Sequence, residues 1–251
     1  MSIKRASASK ERVTLKLLKR NAILRDLPDE QASVVLKTAE IVEMKTRQSV
    51  YLPEDKIKAV YFPIDAFLSV VTRMKDGAMI EVGTVGREGM TGIPLLMGSE
   101  STANECFCQV PGRALVIPSQ TFRQLLPNEK VRKLLDRYLQ AYVNMLGQLA
   151  ACNRLHSVLE RAARWLLMTH DRVNRDSFAL THEFLATMLG SRRSGVTIAA
   201  AALQRAGYIH YEHGCMTILD RKGLEQASCE CYEVTRRQFG SFLRPSVKQA
   251  A

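Results

Sequence analysis

Residues 180–207 read LTHEFLATMLGSRRSGVTIAAAALQRAG. Thr181 can cap a helix by accepting backbone N–H bonds, and Leu180 and Leu185 hold the two apolar positions of a hydrophobic staple around it. Gly190 can turn left-handed and end that helix. Ser191 is placed to cap a second helix, in which Val196, Ala199, Ala200 and Leu203 recur at helical spacing and so face a core. The opposite face carries Arg192, Arg193, Ser194, Thr197 and Ile198. Cationic groups anchor phosphates, while small polar and methyl-bearing groups read base edges, so the two helices have the layout of a DNA-reading helix-turn-helix. Thr181, Ser191 and these five residues are the candidate DNA-binding set. A pair of core helices with a solvated basic edge is the plainer reading. The sequence beyond it favours the first: Tyr208–Tyr211 and Cys215–Leu219 are β-rich runs around Glu212-His213-Gly214, a hairpin that turns the pair into a winged helix-turn-helix.

Composition agrees with a polyanionic partner without naming it. The 251 residues have room for two domains, 46% are hydrophobic, and the formal charge is +11. No apolar run reaches the length of a membrane span, and the basic N-terminus has no signal-peptide core, which predicts a cytoplasmic protein with no membrane partner. Lys4, Arg5, Lys10 and Arg12 fall in residues 1–14, read as a basic flexible tail. No clustered carboxylates, nucleophile elbow or complete phosphate loop is present, so neither an enzyme nor a cofactor is expected. Gly83, Gly86, Gly89 and Gly92 recur every third residue, but the spacing fits no phosphate-binding fingerprint and is assigned to turn geometry. The six cysteines fall as Cys106-x-Cys108, Cys152, Cys215 and Cys229-x-Cys231. One-residue gaps are not zinc-knuckle spacing, so they are read as reduced, buried side chains and no metal site is assigned.

Working outward, Leu15–Ile23 reads as a helix, and Asp29 starts another through Leu36. Seven short apolar runs follow: Ile41-Val42, Val50–Leu52, Ala59–Phe62, Phe67–Thr72, Met79–Val82, Cys106–Val110 and Ala114–Ile117. Asp76-Gly77 marks a hairpin, and residues 15–126 are assigned to a small β-barrel or roll. From Pro127 the pattern is helical again. Val131, Leu135, Tyr138, Tyr142, Met145 and Leu149 alternate steps of four and three, a heptad seam assigned to pairing with a second copy, with Leu134, Leu139 and Leu146 left to face the chain's own β-domain. Residues 127–156 become a dimerisation helix and hinge, and 157–251 the DNA-binding domain. Its last helix starts at Asp220 and runs through Phe239 and Phe242 towards Pro245. The fold class is α+β.

This order of parts resembles the bacterial Crp/Fnr family. The resemblance rests on VYFPIDAFLSVV and the DGAMIEVGTVGREGMTG that follows, on ERAARWLL, on LTHEFLATMLGSRRSGVT and on DRKGLEQASCECY. It implies a cyclic-nucleotide-binding-like β-roll that sets DNA affinity, a homodimer on a palindromic promoter site in double-stranded DNA, and contact with RNA polymerase. Nucleotide-binding members carry a glutamate and an arginine-serine pair in the roll's ligand cassette. Here GMTGIPLLMGSESTANE puts Met90 and Ser101-Thr102 there, so cyclic AMP is not the expected ligand and the effector stays unassigned. No cysteine precedes Cys106 and no histidine precedes His156, which speaks against the iron–sulfur and haem branches. On the reading helix Arg193 keeps the family's first arginine, while Ser194 and Ile198 replace a glutamate and a second arginine, so the target sequence should differ. The competing reading is a β-roll sensor or scaffold acting through protein partners.

Overall fold

The computed structural model describes residues 12–173 and 175–242. Most of the tail assigned to 1–14, and Pro245, therefore lie outside the described residues. The first predicted helix is two, α1 (Leu15–Leu18) and α2 (Ala22–Arg25). Asn21 divides them: its Oδ1 accepts from Ile23 N and Leu24 N, and its Nδ2 donates to the carbonyls of Pro63 and Gly89 at 3.1 and 2.8 Å. A fully satisfied buried cap stabilises a new helix start more than continuation would. Helix α3 (Asp29–Thr38) follows.

Seven strands stand where the seven apolar runs were read: β1 (Glu40–Met44), β2 (Ser49–Tyr51), β3 (Ala59–Pro63), β4 (Phe67–Arg73), β5 (Met79–Val85), β6 (Glu105–Val110) and β7 (Gly112–Pro118). They form two antiparallel sheets, ordered β1-β7-β3 and β2-β6-β4-β5. Between β4 and β5 the Asp76 carboxylate accepts from Ala78 N at 2.9 Å and Gly77 takes φ 87°, the hairpin that Asp-Gly announced. Phe62, Phe67, Leu68, Leu115 and Ile117 are buried in the core of the roll. Helices α4 (Ile93–Leu96) and α5 (Ser119–Leu125) lead to the long α6 (Glu129–Leu155).

The seam of α6 faces the opposite way from the expectation. Val131, Leu135, Tyr138, Tyr142, Met145 and Leu149 are all buried within the single chain, so they are not a surface for a second copy. They lie on the roll because its glycines make room. A Cβ at Gly83 would overlap the Tyr142 hydroxyl, and one at Gly89 would stand 2.5 Å from Tyr138 Oη. Close approach, rather than turn geometry, accounts for these glycines. The Tyr138 hydroxyl donates to the Met90 carbonyl at 3.0 Å. Leu134 is buried, and Leu139 and Leu146 are half-buried against the chain's own core, as expected of them, whereas Val143 (51% exposed) and Ala150 face solvent.

After the hinge comes α7 (Val158–Val173), then β8 (Ser177–Ala179), α8 (His182–Leu189), α9 (Arg193–Arg205), β9 (Ile209–Glu212), β10 (Cys215–Ile218), α10 (Arg221–Ala227) and α11 (Cys231–Phe242). The last predicted helix is thus interrupted. Ser228 is extended, with ψ 158°, and its hydroxyl donates to the Glu225 carbonyl at 2.8 Å, so residues 228–230 form a corner. Helix α11 then packs along α6, where Asn144 Nδ2 donates to Gln238 Oε1 at 3.0 Å.

Two buried polar contacts hold α7 to the roll. Arg172 Nε lies 2.7 Å from Glu88 Oε1, with its guanidinium over Phe67 and Phe239. Trp165 Nε1 donates to Glu81 Oε1 at 3.1 Å, while the Ser69 hydroxyl donates to Glu81 Oε2 at 2.6 Å. Burial pushes the Glu81 carboxyl up from 4.5 to about 7, against the pull of the Ser69 hydrogen bond and the Arg164 charge. The folded state therefore holds this proton more tightly than the unfolded chain. The stabilising effect is complete below about pH 4.5 and is lost as pH rises to about 7, on the order of a few kcal/mol. Urea midpoints of the parent should fall across that window relative to those of Glu81→Gln. Parallel pH profiles for the two proteins would contradict the assignment.

Candidate nucleic-acid interface

Thr181 caps α8, its hydroxyl accepting from Phe184 N at 3.1 Å, and Leu180 and Leu185 are buried beside it. Gly190 ends the helix at φ 56°. Ser191 does not start α9. The left-handed glycine sends the Ser191 N–H back to the Ala186 carbonyl at 2.9 Å, so this residue closes the first helix, and Arg192 stands at the N-cap of the second without a side-chain cap.

Helix α9 buries Val196, Ala199, Ala200 and Leu203 and exposes Arg192, Arg193, Ser194, Thr197 and Ile198. Ile198 is 68% exposed, an apolar side chain left in water on a face that is otherwise polar. Arg193 Nε is 3.6 Å from Glu183 Oε2 with both side chains well exposed, a pair weak enough to be exchanged for a ligand. Two residues that the sequence reading did not select belong to this surface. The His182 ring stacks on Tyr211 of the wing with centroids 4.1 Å apart, and its Nδ1 lies 3.2 Å from the Thr197 hydroxyl. Burial and then the Arg193 charge lower the His182 pKa, which keeps the imidazole neutral at neutral pH. No local pattern marks this stack, because Tyr211 arrives through the hairpin.

The wing has a third strand: β10 pairs with β9 on one side and with β8 on the other. His213 and Gly214 take φ 48° and 78° at the hairpin tip, as a two-residue turn requires. The helix-turn-helix also rests on the roll. A Cβ at Gly190 would stand 2.5 Å from Ile80 Cδ1 of β5, and the Phe184 and Phe107 rings meet edge to face with centroids 6.2 Å apart.

In the ligand cassette Met90 is fully buried, and the Thr102 hydroxyl accepts from Asn104 N at 3.3 Å. The cations near this loop, Lys56 and Arg123, both pair with Glu100. Between roll and α6 lies a cleft of about 390 Å³ lined by Thr72, Glu81, Asn104, Tyr142 and Leu146 among others, with no lysine or arginine in its wall.

The fold also overrides the spacing argument made for the cysteines. It brings Cys152, His156, Cys229 and Cys231 together, their donor atoms all within 4.8 Å of one another. Gaps along one segment carry no information about residues joined across 77 positions, as Cys152 and Cys229 are.

The family profile of the cyclic nucleotide-binding domain matches residues 41–129, and that of the Crp-like helix-turn-helix domain matches residues 160–227. The chain belongs to the Crp/Fnr family of transcription regulators. Its solved structural relatives include a Crp/Fnr-family protein of Eubacterium rectale, with 18% identity over 83% of this chain and 98% of that one and a TM-score of 0.65. A CRP-family regulator of Thermus thermophilus matches with 20% identity over 74% and 95% of the two chains, TM-score 0.62. FixK2 of Bradyrhizobium japonicum matches with 12% identity over 76% and 98%, TM-score 0.62. At these identities the likeness is one of fold. No curated protein sequence matches the chain. Among the described residues, no helix is long and apolar enough to cross a membrane.

Proposed function

We propose that this Crp/Fnr regulator is a cytoplasmic homodimer that reads a palindromic promoter site, contacts RNA polymerase, performs no chemistry of its own, and answers to a signal other than cyclic AMP. The observation that carries the DNA reading is the divided surface of α9, cationic and polar outward and apolar inward, with Ile198 exposed among its polar neighbours. Arg193 is assigned to a guanine edge, Ser194, Thr197 and Ile198 to neighbouring bases, and Arg192 to phosphate, with Thr181 and Ser191 holding the turn. Arg193→Ala should cost about 1–3 kcal/mol per half-site and relax preference at one base position, whereas Arg192→Ala should weaken all sequences alike and flatten the salt dependence. Selection of DNA consensus sequences with both variants decides it. An unchanged preference for Arg193→Ala would make that arginine a phosphate anchor.

Pairing is assigned to the exposed side of α6, Val143 and Ala150, because these apolar residues stand one heptad apart and are left to solvent in one chain. Small residues Gly147 and Ala151 beside them let a second helix come close. Sedimentation of Val143→Asp should show folded monomers, whereas Tyr142→Asp should lose several kcal/mol of stability through an unpaired buried charge. A stable dimer of Val143→Asp would contradict the assignment.

What supports exclusion of cyclic AMP is the cassette, with Met90 and Ser101-Thr102 at the liganding positions, and the cation-free cleft beside α6, whose wall includes a carboxylate. Titration calorimetry at millimolar nucleotide should register no binding. A micromolar dissociation constant, about −8 kcal/mol, would overturn this.

A further inference from the structure

We propose that Cys152, His156, Cys229 and Cys231 form a closed tetrahedral Zn²⁺ site that clamps the start of α11 to the end of α6. Cys152 lies on the last turn of α6, and His156, four residues on, caps that helix. Cys229 lies in the 228–230 corner, and Cys231 opens α11. All four donor atoms fall within 4.8 Å of one another. The Cys152 and Cys229 sulfurs are 3.5 Å apart, and Cys231 Sγ is 3.6 Å from His156 Nδ1. With bonds of about 2.3 Å to sulfur and 2.0–2.1 Å to nitrogen, a tetrahedral zinc site has ligand–ligand edges of about 3.5–3.8 Å. The Cys152–Cys229 and Cys231–His156 pairs already stand at these separations, and the remaining donor pairs lie within 4.8 Å.

The surroundings are also those of a metal site. His156 Nε2 lies 3.1 Å from Glu230 Oε2, which places the ring proton on Nε2 and leaves the Nδ1 lone pair turned towards the sulfurs, the carboxylate–histidine arrangement found behind zinc ligands. Gln148 Nε2 donates to Cys231 Sγ at 3.0 Å. The three thiols are buried, with no carboxylate or open position in the donor set, so the site is closed and non-catalytic. Thiolate and imidazole donors suit zinc. Iron–sulfur clusters spread their thiolates over separate irons, whereas four donors this close fit one ion.

Binding releases three thiol protons to solvent and takes the imidazole neutral, so Zn²⁺ with three thiolates carries one net negative charge. Arg161 and Arg164 are buried within electrostatic reach of Cys152, and among the described residues neither forms an ion pair with a carboxylate. The site thus places an anion beside two buried guanidiniums, of which Arg164 otherwise has only the Glu81 carboxyl within electrostatic reach. It also accounts for the corner at 228–230, which is the bend needed to bring two cysteines of one short segment onto α6.

The test uses the untagged full-length chain, purified under reducing conditions, and is independent of DNA binding. Elemental analysis should find about one zinc per chain, and replacement by Co²⁺ should give the visible bands of a tetrahedral thiolate complex. Cys152→Ser and Cys229→Ser should lose the metal. Glu230→Gln, changed at an exposed side chain, should stay folded by circular dichroism and bind zinc about 10–100-fold more weakly in chelator competition. Three outcomes would overturn the proposal: a reduced parent that takes up neither Zn²⁺ nor Co²⁺, iron with acid-labile sulfide in place of zinc, or unaltered zinc content in Cys152→Ser.

Discussion

The close approach of α6 to β5 is the constraint on which the rest of the structure depends. Gly83 and Gly89 leave no space for a Cβ beneath Tyr142 and Tyr138, and a Cβ at Gly86 would fall 2.7 Å from the Arg172 side chain. A methyl group at any of these positions would have to displace a large buried side chain in a close-packed interior. Because the glycines are there, α6 lies with its heptad seam on its own sheet, and Val143 and Ala150 are left facing water.

The same strand connects the roll to the reading head. Along β5 and the turn after it, Ile80 supports the turn at Gly190, Glu81 receives the Trp165 indole, and Glu88 pairs with Arg172. Roll and DNA-binding domain therefore share a buried polar and apolar contact rather than a flexible tether. Removing one partner of the Arg172–Glu88 pair would leave an uncompensated buried charge, which typically costs several kcal/mol. At the far end of α6, the Cys152–His156 turn and the corner before α11 add a second attachment that does not pass through the roll.

Local chemistry made much of this legible in the sequence. Alternating apolar runs located all seven roll strands, Asp76-Gly77 located one hairpin, and the Thr181 cap with Gly190 located the turn of the helix-turn-helix, since each signal acts within a few residues. The misses share another cause. Heptad spacing reports that a helix has an apolar face but not what covers it, and α6 has two such faces, one through Tyr142 and one through Val143. The role of Gly83 and Gly89 depends on side chains more than 45 positions away. Ser191 was misread as a cap and the helix from Asp220 was read as unbroken, because a serine N–H or hydroxyl has two local options; the left-handed Gly190 decided the first case, and the Ser228 hydroxyl turned back to the Glu225 carbonyl decided the second. The cysteine–histidine cluster and the His182–Tyr211 stack exist only once separate segments have been brought together.

The central claim, that one face of α6 belongs to its own roll and the opposite face to a partner, is tested most directly by disulfide trapping. In a background carrying Cys215→Ser, which removes the exposed native thiol, single Val143→Cys and Tyr142→Cys variants would be oxidised gently and run on non-reducing gels. The account expects a covalent dimer from Val143→Cys, whose side chain faces its counterpart across a two-fold axis, and monomer from Tyr142→Cys. A dimer trapped through position 142 and not through 143 would contradict it.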